Sequence, residues 1–192
     1  MVMKMGNTKD AIEELMEKAE FHADESLHVG CRVSPTLYIR CQDGTTTGYT
    51  LGNMINDKEA LMKNARLMCV AHGAEATVLC AEARMQPDLK HKAVDFAKSV
   101  ERQEIVILLG ESREQSFQRV LPILRMDDGA YFRFGQKSDI HGVKLDRLVG
   151  NLLSEDLPTE QKRLEAKSLL EARGMFPING KKRGRELGIA WF

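Results

Sequence analysis

The sequence predicts an α+β fold: a largely antiparallel sheet covered by helices, followed by a helical C-terminal extension. Three observations carry this. Strand-length segments rich in β-branched and aromatic residues fill the middle of the chain, and turn signals such as Asp43-Gly44 separate them. Amphipathic segments of helical period precede and interrupt these strands. Beyond about residue 143 the helical period returns and persists. Short connections between most neighbouring strands favour antiparallel pairing over crossover units.

Each element follows from local chemistry. Residues 8 to 22 place Ile12, Leu15, Met16 and Ala19 at helical spacing, with Asn7 or Thr8 available as the cap. Two strands are predicted at 36–42 and 46–51, joined by the Asp-Gly turn. The clearest helix is capped by Asn56 or Asp57 and closed by Gly73, with Leu61, Ala65, Met68, Cys69 and His72 along one face. The segment "EATVLCAEARM" reads as a strand with Thr77, Leu79, Ala81, Ala83 and Met85 on one side and Val78, Cys80, Glu82 and Arg84 on the other. Ile105 to Leu109 are continuously apolar, as expected of a central strand covered on both faces. The strand "SFQRVLPILRM" contains Pro122, which favours an edge or a bulge. "AYFRFG" supplies a further strand. Helices are expected over 143–153, with an apolar stripe of Leu145, Leu148, Val149, Leu152 and Leu153, and over 158–174, between Pro158 and Gly174. The stretch "GQKSDIHG" divides an α+β body, residues 1–138, from a helical extension with a basic tail, residues 139–192.

Composition narrows the classes of function. Of 192 residues, 28 are Lys or Arg and 28 are Asp or Glu, so the formal net charge is zero and any nucleic-acid argument must come from local clusters. The longest apolar run is far short of a membrane span, and the N-terminal segment has no apolar core like that of a signal peptide. A cytoplasmic protein is expected. Cys31, Cys41, Cys69 and Cys80 are too scattered for a disulfide framework and read as reduced thiols.

The motifs "SPTLYIRCQDG", "DKEALMKNA", "HGAEATVLCAEARM" and "RQEIVILLGE", spanning residues 35 to 111, are similar to a pattern in small uncharacterised bacterial and phage α+β proteins of no assigned function. The resemblance implies the same strand pair, helix and strand order. It brings no catalytic residues, and the C-terminal section lies outside it.

Candidate chemistry is sparse. Cys69 and His72 form C-x-x-H and His22 and His28 are six apart, but a structural zinc site wants two close ligand pairs and Cys69 falls on an apolar helix face. No metal or cofactor is expected. Cys31, Cys41 and Cys80 lie in strand-like segments without a nucleophile elbow. Glu82 and Arg84 share a strand face and are expected to pair, while Glu104 and Glu111 bracket the apolar strand as its ends. "GTTTGYTLG" lacks the lysine of a phosphate loop.

The tail remains. Lys181, Lys182, Arg183 and Arg185 crowd together, and Trp191 and Phe192 end the chain. Such a segment neutralises phosphates and stacks on bases, or steers toward an acidic protein and anchors in an apolar pocket, or folds back on its own core. The function expected is a non-catalytic, protein-binding accessory or inhibitor-type protein of the kind phage or mobile elements encode, with these six residues as the binding site. Nucleic-acid binding through the tail is the alternative and a small enzyme the third reading. Self-association is left open.

Overall fold

The computed structural model describes residues 8–52, 57–85, 103–125, 132–141, 151–153 and 156–178. Along them run α1 (Thr8–His28), β1 (Thr36–Cys41), β2 (Thr46–Thr50), α2 (Lys58–His72), β3 (Ala74–Met85), β4 (Gln103–Ser112), β5 (Ser116–Arg125), β6 (Phe132–Phe134), β7 (Ser138–His141) and α3 (Glu160–Ala172). The strands form a seven-stranded antiparallel sheet in the order β2-β1-β3-β4-β5-β6, with β7 also on β5. This is the α+β fold the sequence predicts.

Period-two alternation divides the sheet into two cores. Tyr38, Val78, Cys80, Val106, Leu108, Phe117 and Leu121 face α1 and pack on Ile12, Leu15, Met16, Ala19, Ala23 and Leu27. Leu37, Ile39, Tyr49, Leu79 and Leu109 face the other way, onto Met62, Ala65, Met68 and Cys69 of α2 and Ala166 and Leu170 of α3. The sheet is therefore a filling between α1 on one side and α2 with α3 on the other. Each fully buried Leu, Ile or Met here contributes about 1.5–3 kcal/mol.

The first helix runs on past the expected end at residue 22, because Ala23 and Leu27 continue its buried stripe. It stops before Gly30, whose φ of 73° is left-handed. The second is capped by Asp57, which accepts from the Ala60 N–H, and by Gly73 at φ 57°. The β1–β2 hairpin turns at Gly44, φ 81°, with Asp43 Oδ1 accepting from the Thr45 N–H. Gly110 lies where α1 crosses β4. A Cβ there would stand 2.7 Å from Met16 Cε and 2.9 Å from Ile12 Cγ2, so the bare Cα sets how closely helix and sheet approach.

Pro122 does not lie in an edge strand. Strand β5 is flanked by β4 on one side and by β7 and β6 on the other. Its outer side pairs with β7 over Phe117–Val120 and with β6 over Ile123–Arg125, and Pro122 falls in the gap. The Ser112 N–H donates to Gln115 O, which fixes the register: odd residues of β5 bond β4 and even ones point outward. The missing N–H of Pro122 thus faces the change of partner, and its carbonyl accepts from Gly135. Strand β7 occupies the stretch expected to be a linker and runs across the 138/139 division. Leu152 and Leu153 lie in a bend and are buried in the α2-side core, where a helix end was expected. The rest of that predicted helix falls outside the described residues.

Candidate functional site

The six tail residues singled out in the sequence, Lys181, Lys182, Arg183, Arg185, Trp191 and Phe192, lie outside the described residues. The structure does place the segment that leads to them. After α3 the chain turns at Gly174, φ 66°, and Met175 packs against the α2-side core. Three residues later the Ile178 N–H donates to Gly48 O at 2.7 Å. Ile178 Cδ1 lies 3.7 Å from where a Gly48 Cβ would be, and Tyr38 Cδ1 lies 3.8 Å from the same point. Tyr38 belongs to the α1-side core. Between Met175 and Ile178 the chain therefore passes from one face of the sheet to the other around the outer edge of β2.

That edge is open. Cys41 N–H donates to Thr45 O and Leu51 N–H to Pro35 O, so the odd residues of this hairpin arm bond β1. Thr46, Gly48 and Thr50 then turn their backbone groups outward. Among the described residues, the hydrogen bond from Ile178 is the one their outward backbone groups make. The strand reads Thr-Thr-Gly-Tyr-Thr, without a charge or proline to guard it. The opposite side of the sheet differs. Strands β6 and β7 are three and four residues long and carry Arg133 and Asp139.

A tyrosine–histidine pair lies behind the edge on each face. Tyr49 Oη and His72 Nε2 are 2.6 Å apart on the α2 side, and Tyr38 Oη and His22 Nδ1 are 2.8 Å apart on the α1 side. Burial lowers the pKa of both histidines, and Lys167 and Arg163 lower that of His72 further. Burial raises both phenols, Tyr49 to about 12, so these pairs are neutral at physiological pH. Lys18 Nζ reaches Thr46 Oγ1 at 3.3 Å and is paired with Glu14, which also takes Arg40.

The other candidates resolve into architecture. Cys69 and Cys80 are buried and their thiols are pushed up to about 12, and burial raises Cys41 too, so these three are core thiols. Cys31 is exposed and sits outside any strand. His28 Nδ1 bonds Asp24 O, one turn back on its own helix. The expected Glu82–Arg84 pair is replaced: Glu82 accepts from the Val33 N–H and Arg84 approaches Glu104 at 3.9 Å, because residues two apart in a strand lie farther from each other than cross-strand partners do. Arg163 covers Gly73 and Arg173 donates to Asn64 Oδ1, so both take part in the α2–α3 contact.

Two buried charges were missed. Arg119, 3% exposed, donates to Asp139 through Nε and Nη2, to Glu20 through Nη1 and to Glu13 through Nη2, and so ties α1 to β5 and β7. Glu111, read as a strand end, is 7% exposed and accepts the N–H groups of Leu152 and Leu153. Alternation was the available signal. Arg119 lies in the row Phe117, Arg119, Leu121, Ile123, and Glu111 in the row Ile105, Ile107, Leu109, Glu111.

No family model, curated protein or solved structure matches the chain.

Proposed function

We propose that the chain is a non-catalytic protein-binding protein of the accessory or inhibitor type, and that its partner docks on the C-terminal section. The carrying observation is where large apolar side chains are left in water. Of the seven exposed ones among the described residues, Leu157, Leu164, Leu169 and Phe176 fall on the segment that leads to the tail. That segment is fixed rather than loosely attached: Glu111 holds its start, α3 is seated on α2, and Ile178 is hydrogen-bonded to β2. A rigid mount reduces the ordering cost of binding. In this reading the cations from Lys181 to Arg185 steer the approach and Trp191 with Phe192 sets residence time.

The test is affinity capture with the full chain, with and without nuclease, beside a Trp191→Ala/Phe192→Ala variant and a Leu169→Ser/Phe176→Ser variant. The expected result is a protein retained after nuclease and lost with either double variant. Capture abolished by nuclease, with affinity falling roughly tenfold or more between about 50 and 200 mM salt, assigns the tail to nucleic acid instead. Capture unchanged in both double variants removes the C-terminal section from the site.

A further inference from the structure

We propose that the outward face of α1 is a docking surface for a basic, arginine-bearing helix of a partner protein, centred on Phe21. The inference goes beyond the reading above, since α1 lies across the sheet from α2 and α3 and the C-terminal section takes no part in it. It starts from a break in the pattern of the helix. Ile12, Leu15, Met16, Ala19, Ala23 and Leu27 form its buried stripe, each 4% exposed or less. Phe21 lies on the opposite side and is 62% exposed. A ring there adds nothing to the core, and phenylalanine is a poorer helix former than the glutamate, lysine or alanine around it. The fold does not require it, whereas an aromatic left in water is what a contact with another molecule uses.

The surroundings of the ring set the sign of what it meets. Glu17 and Glu25 stand one turn before and one turn after Phe21 on the same ridge, and both are exposed. Thr8–His28 carries seven acids against two lysines. The acids on its flanks are answered inside the fold: Glu13 and Glu20 by Arg119, Glu14 by Lys18 and Arg40, and Asp24 by His28. Glu17 and Glu25 have no salt bridge among the described residues. A planar guanidinium laid on Phe21 gains the attraction of the ring face and has a carboxylate to either side. Nucleic acid and anionic lipid are repelled, and so is the same face of a second copy. A helix ridge repeats about every 6 Å, so a helix lying along α1 with arginine at each fourth position meets Glu17, Phe21 and Glu25 in register.

The ring is also braced from behind. The Phe21 and His22 ring centroids are 5.9 Å apart, and those of His22 and Tyr38 are 5.5 Å apart. His22 Nδ1 lies 2.8 Å from Tyr38 Oη, and Tyr38 is 6% exposed. Three rings thus lead from the surface of α1 into the core. This support limits the freedom that Phe21 loses when it is covered. It also makes His22 a reporter, because a cation seated on Phe21 changes the field at the neighbouring imidazole. His72 belongs to the matching pair on the other face of the sheet and has no such link to Phe21.

The experiment uses the full chain and three labelled, capped, alanine-based peptides of about 15 residues, with arginine, lysine or glutamate at every fourth position. The arginine peptide is expected to bind. The lysine peptide should bind roughly threefold or more weakly, because an ammonium cannot stack flat on a ring, and the glutamate peptide not detectably. Phe21→Ala and Glu17→Gln/Glu25→Gln are each expected to weaken arginine-peptide binding roughly fivefold or more. Glu59→Gln/Glu171→Gln makes the same charge change at exposed positions of α2 and α3 and is expected to leave that binding unchanged. Phe21→Ala should keep the melting temperature within about 4 °C of the parent, as at an exposed position. Histidine side-chain NMR supplies an independent readout: the His22 resonances should move with the arginine peptide and those of His72 should stay. Equal binding of the arginine and glutamate peptides, equal loss in the two double glutamine variants, or an unmoved His22 signal overturns the proposal. A larger fall in the melting temperature of Phe21→Ala shows that the ring packs on its own chain, and overturns it too. Absence of binding by all three peptides removes the α1 face, while the C-terminal reading keeps its own capture test.

Discussion

Glu111 closes β4 with its carboxylate 2.8 Å from the backbone nitrogen of Leu152, and the adjacent Leu153 N–H donates to the same side chain. One acid thus fastens the start of the C-terminal section to the end of the central sheet. Replacing Glu111 with Ala leaves two buried N–H groups without an acceptor, a loss of about 2–4 kcal/mol. Glu111→Gln keeps one acceptor oxygen and is expected to cost less. Burial, the largest influence, raises the Glu111 pKa above its ordinary 4.5, against the lowering effect of the two N–H groups. A raised folded-state pKa contributes stability that is present below 4.5 and lost as pH rises through the folded value. Denaturant titrations should therefore show the parent losing stability relative to Glu111→Gln as pH rises above about 4.5. A constant difference across that window would mean that Glu111 is ionised at no cost in the fold.

Arg119 is the converse case, a buried cation among three carboxylates. Removing one partner of a buried pair costs about 3–5 kcal/mol, which for a chain of this size lowers the melting temperature by the order of 10 °C. Arg119→Met is expected to show that loss. Arg119→Lys should recover part of it, because an ammonium cannot meet both Asp139 oxygens while reaching Glu13 and Glu20. Asp139→Asn should cost less than Arg119→Met, since the Asp139 side chain is one-third exposed. Equal melting temperatures for Arg119→Met and the parent would show that the cluster contributes no net stability.

Fold class and most elements were legible because they follow from periodicity. The caps at Asp57 and Gly73, the turn at Gly44 and the two faces of β3 are local signals read locally. The role of Pro122 was misread because its neighbours across β5 are set by β6 and β7, two short strands of weak pattern. That β2 ends the sheet, among the described residues, was illegible for a deeper reason. Which strand ends a sheet is a property of topology, and the contact that marks the edge joins Gly48 to Ile178, 130 residues away in sequence. The tail was conspicuous in composition, and it lies outside the described residues.

Gly110 offers a packing test that sequence alone would not suggest. A methyl group there meets Met16 Cε and Ile12 Cγ2 inside contact distance. The Met tip can swing, but the Ile12 branch is stiff, so Gly110→Ala is expected to cost about 1–3 kcal/mol. Removing the opposing γ carbons in Gly110→Ala/Ile12→Ala should cost less than the sum of the single changes, a coupling that a double-mutant cycle measures. Strict additivity would place the strain elsewhere.

The two tyrosine–histidine pairs predict acid sensitivity of the region behind the β2 edge. Burial holds His22 and His72 below their ordinary 6.5, with Lys18 pushing His22 the same way against Glu25, and Lys167 and Arg163 pushing His72 down. A depressed histidine favours the neutral ring in the fold. Its contribution is present above 6.5 and is lost as pH falls from there toward the folded-state value. Glu111 works in the opposite direction in the same region, so the measurement belongs in the Glu111→Gln background. There, stability should fall as pH drops below about 6.5, and Lys167→Gln should reduce the fall by letting His72 titrate higher. Tyr49→Phe should cost about 1 kcal/mol at pH 7 for the lost hydrogen bond. Of the two pairs, the one on the α2 side also faces Arg163, which remains in Lys167→Gln, so a partial effect is expected rather than a full one. A pH profile unchanged by Lys167→Gln, His22→Gln and His72→Gln alike would show that neither imidazole senses its burial, and that the acid response of the fold comes from its carboxylates.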